Sequence, residues 1–347
     1  MIDLPSYGPT NRIRLGSFLR VRPLVLNYEG SEKLTDFQVK CVFTPSDIPF
    51  EKLRADKQDL LFVNNNNEPI PYWIEKADGT EIVVWLKFPQ IISGKEVFWL
   101  YYGNGNFSGV SDPDATFIRI IDSVVGSWHF DEGSGTTAYD SSGNDNDGTI
   151  NGATWIDGKF GKALSFDGID DYVRVSDDES LELTGDVSIA VWIKPVIDSD
   201  YHGIVSRGAS YEYELAADFR EGTYDLAWRH TNTARNFPNF FTDGEIWYFV
   251  TAVRDSNELR MYKNGEYFDS ATFSGSPEPS TNPLDIGKRS LSGYRFEGVI
   301  DEVFLFNRAL TEQEISDLYN NYGYTTENYP GKVLVRKYSD MEPIILK

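Results

Sequence analysis

VSIAVWIKPV, residues Val187–Val196, carries an apolar side chain at every second position. Val187, Ile189, Val191 and Ile193 fall on one side of an extended chain, and Ser188, Ala190, Trp192 and Lys194 on the other. A period of two is that of a β-strand, because successive side chains point to opposite faces. Outward from this stretch the same kind of segment recurs between turns: HGIVSRG, YEYELAADF, TYDLAWRH, EIWYFVTAVRD, ELRMYKNGEYFDSATF, NPLDIGKRS and GVIDEVFLFNRAL. Asn264-Gly265 joins ELRMYK to EYFDSA, and such a pair favours a type I′ hairpin, whose two central residues need positive φ. TEQEISDLYN is the one clear helix, with Thr311 placed to cap it and Glu314 at the third helical position.

The earlier part of the chain reads as strands too. FLRVRPLVLNY, LTDFQVKCVFT, DLLFVNN, PIPYWIEKA, EIVVWLKF and KEVFWLYYGN are separated by turn residues at Asn64–Asn67, Asp78-Gly79 and Ser93-Gly94. In EIVVWLKF both faces are largely apolar, as in a central strand of a sandwich. SDPDATF reads as a linker in which Pro113 breaks regular structure, and GNGNFSG (Gly103–Gly109) as a turn.

Composition bounds the function. The 347 residues include 8 Trp, 20 Tyr and 22 Phe, which suits strands. The net charge is −22, and residues 121–323 hold 36 acidic and 15 basic residues, a net of −21. Such a field repels nucleic-acid phosphates and anionic membranes, and favours cations or neutral partners such as glycans. No run of 18 apolar residues is present, so membrane insertion is not expected. The opening MIDLPSYGPTNRIRLG has no apolar run, so no secretory signal is visible. The single Cys41 excludes an internal disulfide and reads as a small core residue.

Two resemblances follow from these residues. LTDFQVKCVF, PYWIE, VWLKFP and LYYGN, over about residues 18–118, resemble DUF2341, a small β domain of unknown function. WHFDEGSGTTAYDSSGN, GKALSFDGIDDYVRV, VWIKP, WYFVTAV, YKNGEY and FEGVIDEVFLFNRALTEQEISDLY resemble the LamG-like jelly roll of the concanavalin A-like lectin/glucanase superfamily. The expected fold is therefore all-β: a small antiparallel β-sandwich domain followed by a concanavalin A-like jelly roll with one short C-terminal helix. The expected order is an N-terminal arm at 1–17, the DUF2341-like domain at 18–118, the LamG-like domain at 119–323, and a tail at 324–347 that alternates like a strand at VLVRKY. The LamG resemblance implies glycan or protein binding and cell-surface adhesion, often with bound calcium.

GSWHFDEGSGTTAYDSSGNDNDGTI, residues 126–150, holds five acidic residues and five Gly with no Lys or Arg. Three readings compete for it. Glycosidases of the same superfamily set paired carboxylates at alternate strand positions, a pattern absent here. Asp131-Glu132 and Asp301-Glu302 are adjacent and point to opposite faces of a regular strand, so neither forms a dyad by itself. Histidines 129, 202 and 230 form no metalloprotease pair, and there is no nucleophile elbow or phosphate loop, so no enzyme is expected. The second reading is calcium, gathered from separate loops as the resemblance implies; the candidates are Asp131, Asp140, Asn144, Asp167, Asp170 and Asp301, with Asp171 beside them. The third is a structural loop of turn-forming residues.

For a glycan, rings and polar groups of the middle section are the candidates: Tyr201, His202, Arg207, Tyr213, Trp228, Arg229, His230 and Asn236, with Trp228 read more readily as core. NFPNFF (Asn236–Phe241) reads either as an exposed interaction loop or as a cover for the core end. The terminal segments could pair with each other or with a second subunit. Two functions stand: a surface adhesion or recognition protein that binds a glycan or cell-surface partner, and a structural subunit of a virion or fibre assembled through its termini. A glycoside hydrolase is a remote third. An extracellular, virion or cell-surface location fits the first two.

Overall fold

In the computed structural model the described residues are 2–3, 12–208, 212–230, 233–272, 275, 277–290 and 292–347. The chain forms two compact units, residues 1–120 with 334–347, and residues 121–333. Most of the N-terminal arm, including residues 4–11, lies outside the described residues.

The first unit is a sandwich of two antiparallel sheets. One has the order Ile344–Leu346, Arg20–Tyr28, Gly94–Tyr102 and Leu61–Val63; the other has Ile82–Ile91 between Leu34–Phe43 and Tyr72–Ala77. The central place of Ile82–Ile91 explains its two apolar faces. Leu24, Leu26, Phe98 and Leu100 of the first sheet meet Phe37, Val39, Cys41, Val84 and Leu86 of the second. Burial pushes the Cys41 thiol up to about 12, which suits a core position and not a nucleophile.

The tail does not pair with the N-terminal segment among the described residues. Ile344–Leu346 hydrogen-bonds to Arg20–Tyr28 instead, while Ile2–Asp3 pairs with Arg12–Ile13. Lys332–Arg336 is a strand, as VLVRKY suggests. Pro113 opens a four-residue helical turn, Pro113–Thr116, where the sequence suggested a break. Asp112 accepts hydrogen bonds from Asp114 and Ala115 N–H, and a proline at the first helical position loses nothing because that N–H has no helical partner.

The second unit is a larger sandwich of two eight-stranded sheets. The first sheet centres on Glu297–Phe306 and Val187–Pro195, and ends in the hairpin Glu258–Lys263/Glu266–Thr272. Asn264 and Gly265 both have positive φ there, 54° and 80°, as the hairpin reading requires. The second sheet runs Thr137–Ala138, Gly148–Asn151, Tyr172–Val175, Leu284–Ile286, Tyr201–Arg207, Tyr213–Asp218, Asp225–His230 and Thr233–Phe237. Val187, Ile189, Val191 and Ile193 all face the core between the sheets, with Val173, Leu215, Leu226 and Trp228 from the second sheet. On the outer side Trp192 stacks on Tyr319 of the helix Glu312–Asn320, at 5.5 Å between ring centroids. Phe237, Phe240 and Phe241 of NFPNFF are buried in the core, so this segment covers the core end and is not an exposed loop.

The helix is closed at its start by the expected capping box, Thr311 with Glu314. Thr311→Ala should cost about 1 kcal/mol. It should lower the melting temperature of the unit 121–333 by about 2–4 °C. Differential scanning calorimetry reads this, and an unshifted transition would show that the box contributes no net stability.

Candidate functional site

The strand Glu297–Phe306 carries a β-bulge that reshapes one side of the second unit. Its register against Val187–Pro195 shifts between Ala190 and Trp192, and Glu302 has φ 50°. Ile300, Val303 and Leu305 face the core. Two consecutive residues, Asp301 and Glu302, therefore lie together on the outer side. This corrects the expectation that these neighbours point apart, which holds only for a regular strand.

Both carboxyls are buried. Asp301 Oδ2 accepts the backbone N–H of Lys159 (2.8 Å) and Phe160 (3.1 Å). Its Oδ1 is buried with no hydrogen bond among the described residues. Burial, then the neighbouring charges of Glu302 and Asp131, hold its pKa well above the usual carboxylate range. Glu302 Oε2 lies 2.8 Å from His129 Nδ1, and His129 Nε2 lies 2.7 Å from Thr325 Oγ1. The Tyr322 ring lies tilted against His129 at 5.6 Å and edge-on to Phe160 at 5.4 Å. These rings pack beside a carboxyl pair that is itself 0–1% exposed.

Above them opens a cleft of about 670 Å³, lined by His129, Asp131, Glu132, Tyr139, Asp140, Ser141, Asp145, Asp147, Tyr322, Tyr324, Thr325, Thr326 and Glu327. Eight of these thirteen residues come from the acidic stretch 126–150. Its acids have different roles. Asp140 accepts four hydrogen bonds, from Ser127 N, Ser142 N, Ser142 Oγ and Asn146 N, so it staples the loop. Burial still pushes its pKa up. Asn144 and Asn146 both donate to Val125 O. Asp131 Oδ1 accepts from Lys162 N at 2.8 Å, and its Oδ2 accepts from Tyr322 Oη at 3.5 Å. Glu132 Oε1 accepts from Tyr139 N, while Oε2 is buried with no hydrogen bond among the described residues. The Tyr139 side chain is 58% exposed at the cleft. The structural-loop reading thus fits Asp140 and Asn144, and the cleft gathers the remaining acids.

Among the described residues the acidic groups close enough to share a metal ion are Asp167, Asp170 and Asp171, whose oxygens lie within 4.8 Å of one another. Asp131, Asp140, Asn144 and Asp301 do not join them. Asp167 Oδ1 accepts from Ile169 N and Asp170 N, and Asp171 Oδ2 from Asp167 N. Backbone hydrogen bonds hold the Asp167 carboxyl low, whereas burial and the charges of Asp167 and Asp170 push Asp171 up. The three carboxylates form a donor set of the kind that suits calcium, with carbonyls or water completing its shell.

The aromatic section divides by strand parity. Tyr201, Arg229 and Asn236 lie on the outer face of the second sheet. Arg229 Nε donates to Tyr201 Oη (2.8 Å), which donates to the buried Glu214 (2.7 Å); Asn236 donates to Asp218 (3.3 Å). Tyr201 is itself buried, packed with Tyr294 on that face, and the other five candidates are enclosed too. Tyr213 and Trp228 are core. Arg207 is fully buried between Asp177 and Glu212 and bonds the carbonyls of Asp178 and Ser280. His202 is held by Asp198 and by Glu297 N. His230 accepts from Trp228 Nε1, and burial lowers its pKa to about 4. These side chains hold the sandwich and present nothing to a ligand on the outer face. Sequence reasoning missed Tyr139, Tyr322 and Tyr324. A tyrosine inside the acidic stretch, as in TTAYDSSG, was the available signal.

Residues 167–316 match the family model described as the concanavalin A-like lectin/glucanases superfamily, and residues 56–155 match the domain of unknown function DUF2341. Their order agrees with the sequence resemblances. No curated protein matches the sequence. Among solved structures, the binding domain of Paraclostridial Mosquitocidal Protein 1 is similar at 19% identity over 57% of this chain and 52% of that one, with a TM-score of 0.47. Domain 4 of AbnA, a GH43 extracellular arabinanase from Geobacillus stearothermophilus solved with arabinotriose, is 21% identical over 57% of this chain and 98% of that one, with a TM-score of 0.46. The receptor binding domain of botulinum neurotoxin C/D mosaic serotype is 13% identical over 60% of this chain and 55% of that one, with a TM-score of 0.45. This chain spans about half the length of the first and third of these.

The raised Asp301 pKa has a stability consequence with a definite sign. Above the unfolded value of 3.8 the unfolded chain releases a proton that the folded state keeps, so this group makes stability fall as pH rises from there. Asp301→Asn keeps an acceptor for both N–H groups and has no charge to bury, so its urea stability should fall less between pH 4 and 7 than that of the wild type. Parallel pH profiles would refute this. Asp301→Ala should be about 1–3 kcal/mol less stable than Asp301→Asn at any pH, because it leaves two buried N–H groups unpaired.

Proposed function

We propose that the unit 121–333 is a non-catalytic recognition module that binds neutral saccharides in the acidic cleft. The observation that carries this reading is the pairing of exposed tyrosine with carboxylate acceptors in one open cavity. The Tyr139 ring is free to lie against the apolar face of a sugar, and Asp131, Glu132 and Asp145 offer acceptors to its hydroxyls. The buried, unbonded Glu132 Oε2 gains a partner when a hydroxyl enters. The match to the lectin/glucanases model over residues 167–316 supports a binding role for the unit, although the residues lining the cleft lie outside the matched stretch. The net charge of −21 in residues 121–323 disfavours anionic ligands at this cleft. Calcium at Asp167, Asp170 and Asp171 would stiffen the turn before Tyr172–Val175 and serve as a structural ion. A role in adhesion at a cell or virion surface fits such a module. Among the described residues no helix is long and apolar enough to cross a membrane.

One observation favours the second reading, an assembly subunit. The outer face of the four-stranded sheet in the first unit is apolar along Val21, Pro23, Val25, Val97 and Trp99, and Ile344 and Leu346 extend it to an open edge at 51% and 41% exposure. A second copy paired along Ile344–Leu346 would cover it. Sedimentation velocity of the whole chain decides: a concentration-dependent dimer lost in Ile344→Lys supports assembly, and a monomer at all concentrations removes it.

A neutral-oligosaccharide array followed by calorimetric titration tests the cleft. Binding in the millimolar to micromolar range is expected, weakened roughly tenfold by Tyr139→Ala, about 1.4 kcal/mol. An array without neutral hits, or a hit indifferent to Tyr139→Ala, removes the reading. Calcium should raise the melting temperature of wild type and not of Asp170→Asn, with about 2.7 kcal/mol of stabilisation when calcium is at 100 times its Kd. Equal behaviour of the two proteins would remove the ion from this loop.

A further inference from the structure

The outer face of the second sheet carries a positive centre inside a strongly negative domain. Tyr172 and Arg174 point outward from Tyr172–Val175, because Val173 and Val175 face the core. Asp285, the register partner of Arg174 on the next strand, is fully buried and takes both Arg174 Nε (2.8 Å) and Nη2 (3.1 Å). The chain after that strand folds back over the sheet, with Lys288 bridged to Arg295. Gly203 permits this cover, since a Cβ there would lie 2.1 Å from Arg289 N. The Lys288 ammonium then lies 4.5 Å from the Tyr172 ring centroid, and the Arg174 and Arg295 guanidinium carbons lie at 5.0 and 5.4 Å.

Three cations therefore surround one ring, and Asp285 pairs with Arg174 and lies 3.8 Å from Lys288 Nζ. Cation–π attraction offsets only part of the mutual repulsion. Burial and the charges of Arg174 and Arg295 push the Lys288 pKa down. Arg295 Nε is buried with no hydrogen bond among the described residues, and its Nη1 reaches Ser292 O at 3.2 Å. This is a donor-rich centre with two positive charges beyond its acid, in a region whose net charge is −21.

We infer that Tyr172, Arg174, Lys288 and Arg295 form a subsite for an anionic sugar, a saccharide unit bearing a carboxylate or sulfate ester. A guanidinium and an ammonium at one point match such an anion by charge-assisted hydrogen bonds. The face continues to Arg229 and Asn236, which offer a fork and an amide to further sugar hydroxyls, while the buried Tyr201 hydroxyl accepts from Arg229 beneath them. The subsite is independent of the acidic cleft and opposite to it in charge preference.

The test is calorimetric titration of the whole chain at low salt with four probes: a galacturonic acid trimer, its methyl ester, a heparin-derived tetrasaccharide and inorganic sulfate. The trimer or the tetrasaccharide should bind, and the one that does identifies carboxylate or sulfate as the anion. Affinity should fall roughly tenfold or more in Arg295→Gln and in Lys288→Gln, fall again as salt shortens the screening length, and recover in part in Arg295→Lys. Melting curves matched to wild type establish that the variants are folded, and Tyr172→Phe, which keeps the ring, gives a second readout on a conservative change. Four results would overturn the inference: no saccharide binds; binding is unchanged in both charge variants; the methyl ester binds as well as the acid; or sulfate alone binds as tightly as the saccharides, which is an adventitious ion only.

Discussion

The second unit depends on one strand. Glu297–Phe306 hydrogen-bonds to Lys162–Asp167, to Val187–Pro195 and to Val124–Trp128, so it joins the start, the middle and the end of the unit in one sheet. Its inward residues, Ile300, Val303 and Leu305, lie in the centre of the core. A one-residue slip in its register would turn every one of them to the other face. The bulge at Asp301 and Glu302 absorbs one extra residue without disturbing that inward set. The consequence appears on the other side, where two carboxyls lie side by side beneath Phe160, Tyr322 and His129. The wall of the acidic cleft is thus built on an irregularity that the core tolerates because it leaves the inner alternation intact.

Charge is sorted by depth as well as by face. On the outer face of the second sheet the acids Asp285 and Glu214 are fully buried, and the cations lie above them nearer to water. At the cleft the order is reversed in effect: Asp131, Glu132 and Asp145 face the opening, while the Lys162 ammonium pairs with Asp157 and the Lys159 ammonium lies 4.7 Å from the Trp192 ring centroid. One domain of strongly negative net charge therefore presents two surfaces of opposite sign. Net charge governs the field at distances beyond the screening length of about 8–10 Å, whereas the local arrangement governs what binds within it.

Much of this was legible in the sequence, and the reason is local. The alternation of Val187–Ile193, the Asn264-Gly265 hairpin and the Thr311–Glu314 box each depend on neighbours a few residues apart, and each appears in the structure. The two family resemblances carried the order of the domains. What escaped reading depends on register between distant segments. Strand parity decides that Tyr201 faces outward and Trp228 inward, and a bulge between Gly203 and Val205 shifts that parity within one strand. Asp140 looks like a metal ligand by composition, yet it is the acceptor for four donors of its own loop, which composition does not reveal.

The cation centre shows the same limit from the other side. Arg174 lies more than a hundred residues before Lys288 and Arg295, so no short window of sequence contains all three. Within its own window Arg174 is flanked by Asp170, Asp171, Asp177 and Asp178 and reads as one more charge on an acidic surface. The sheet removes it from that company. Pairing with Leu284–Ile286 sets it against Asp285, and the returning chain adds two further cations that the acid does not balance. A local sign opposite to the net charge is then a property of topology, and topology is what allows an acidic lectin-like domain to hold a place for an anion.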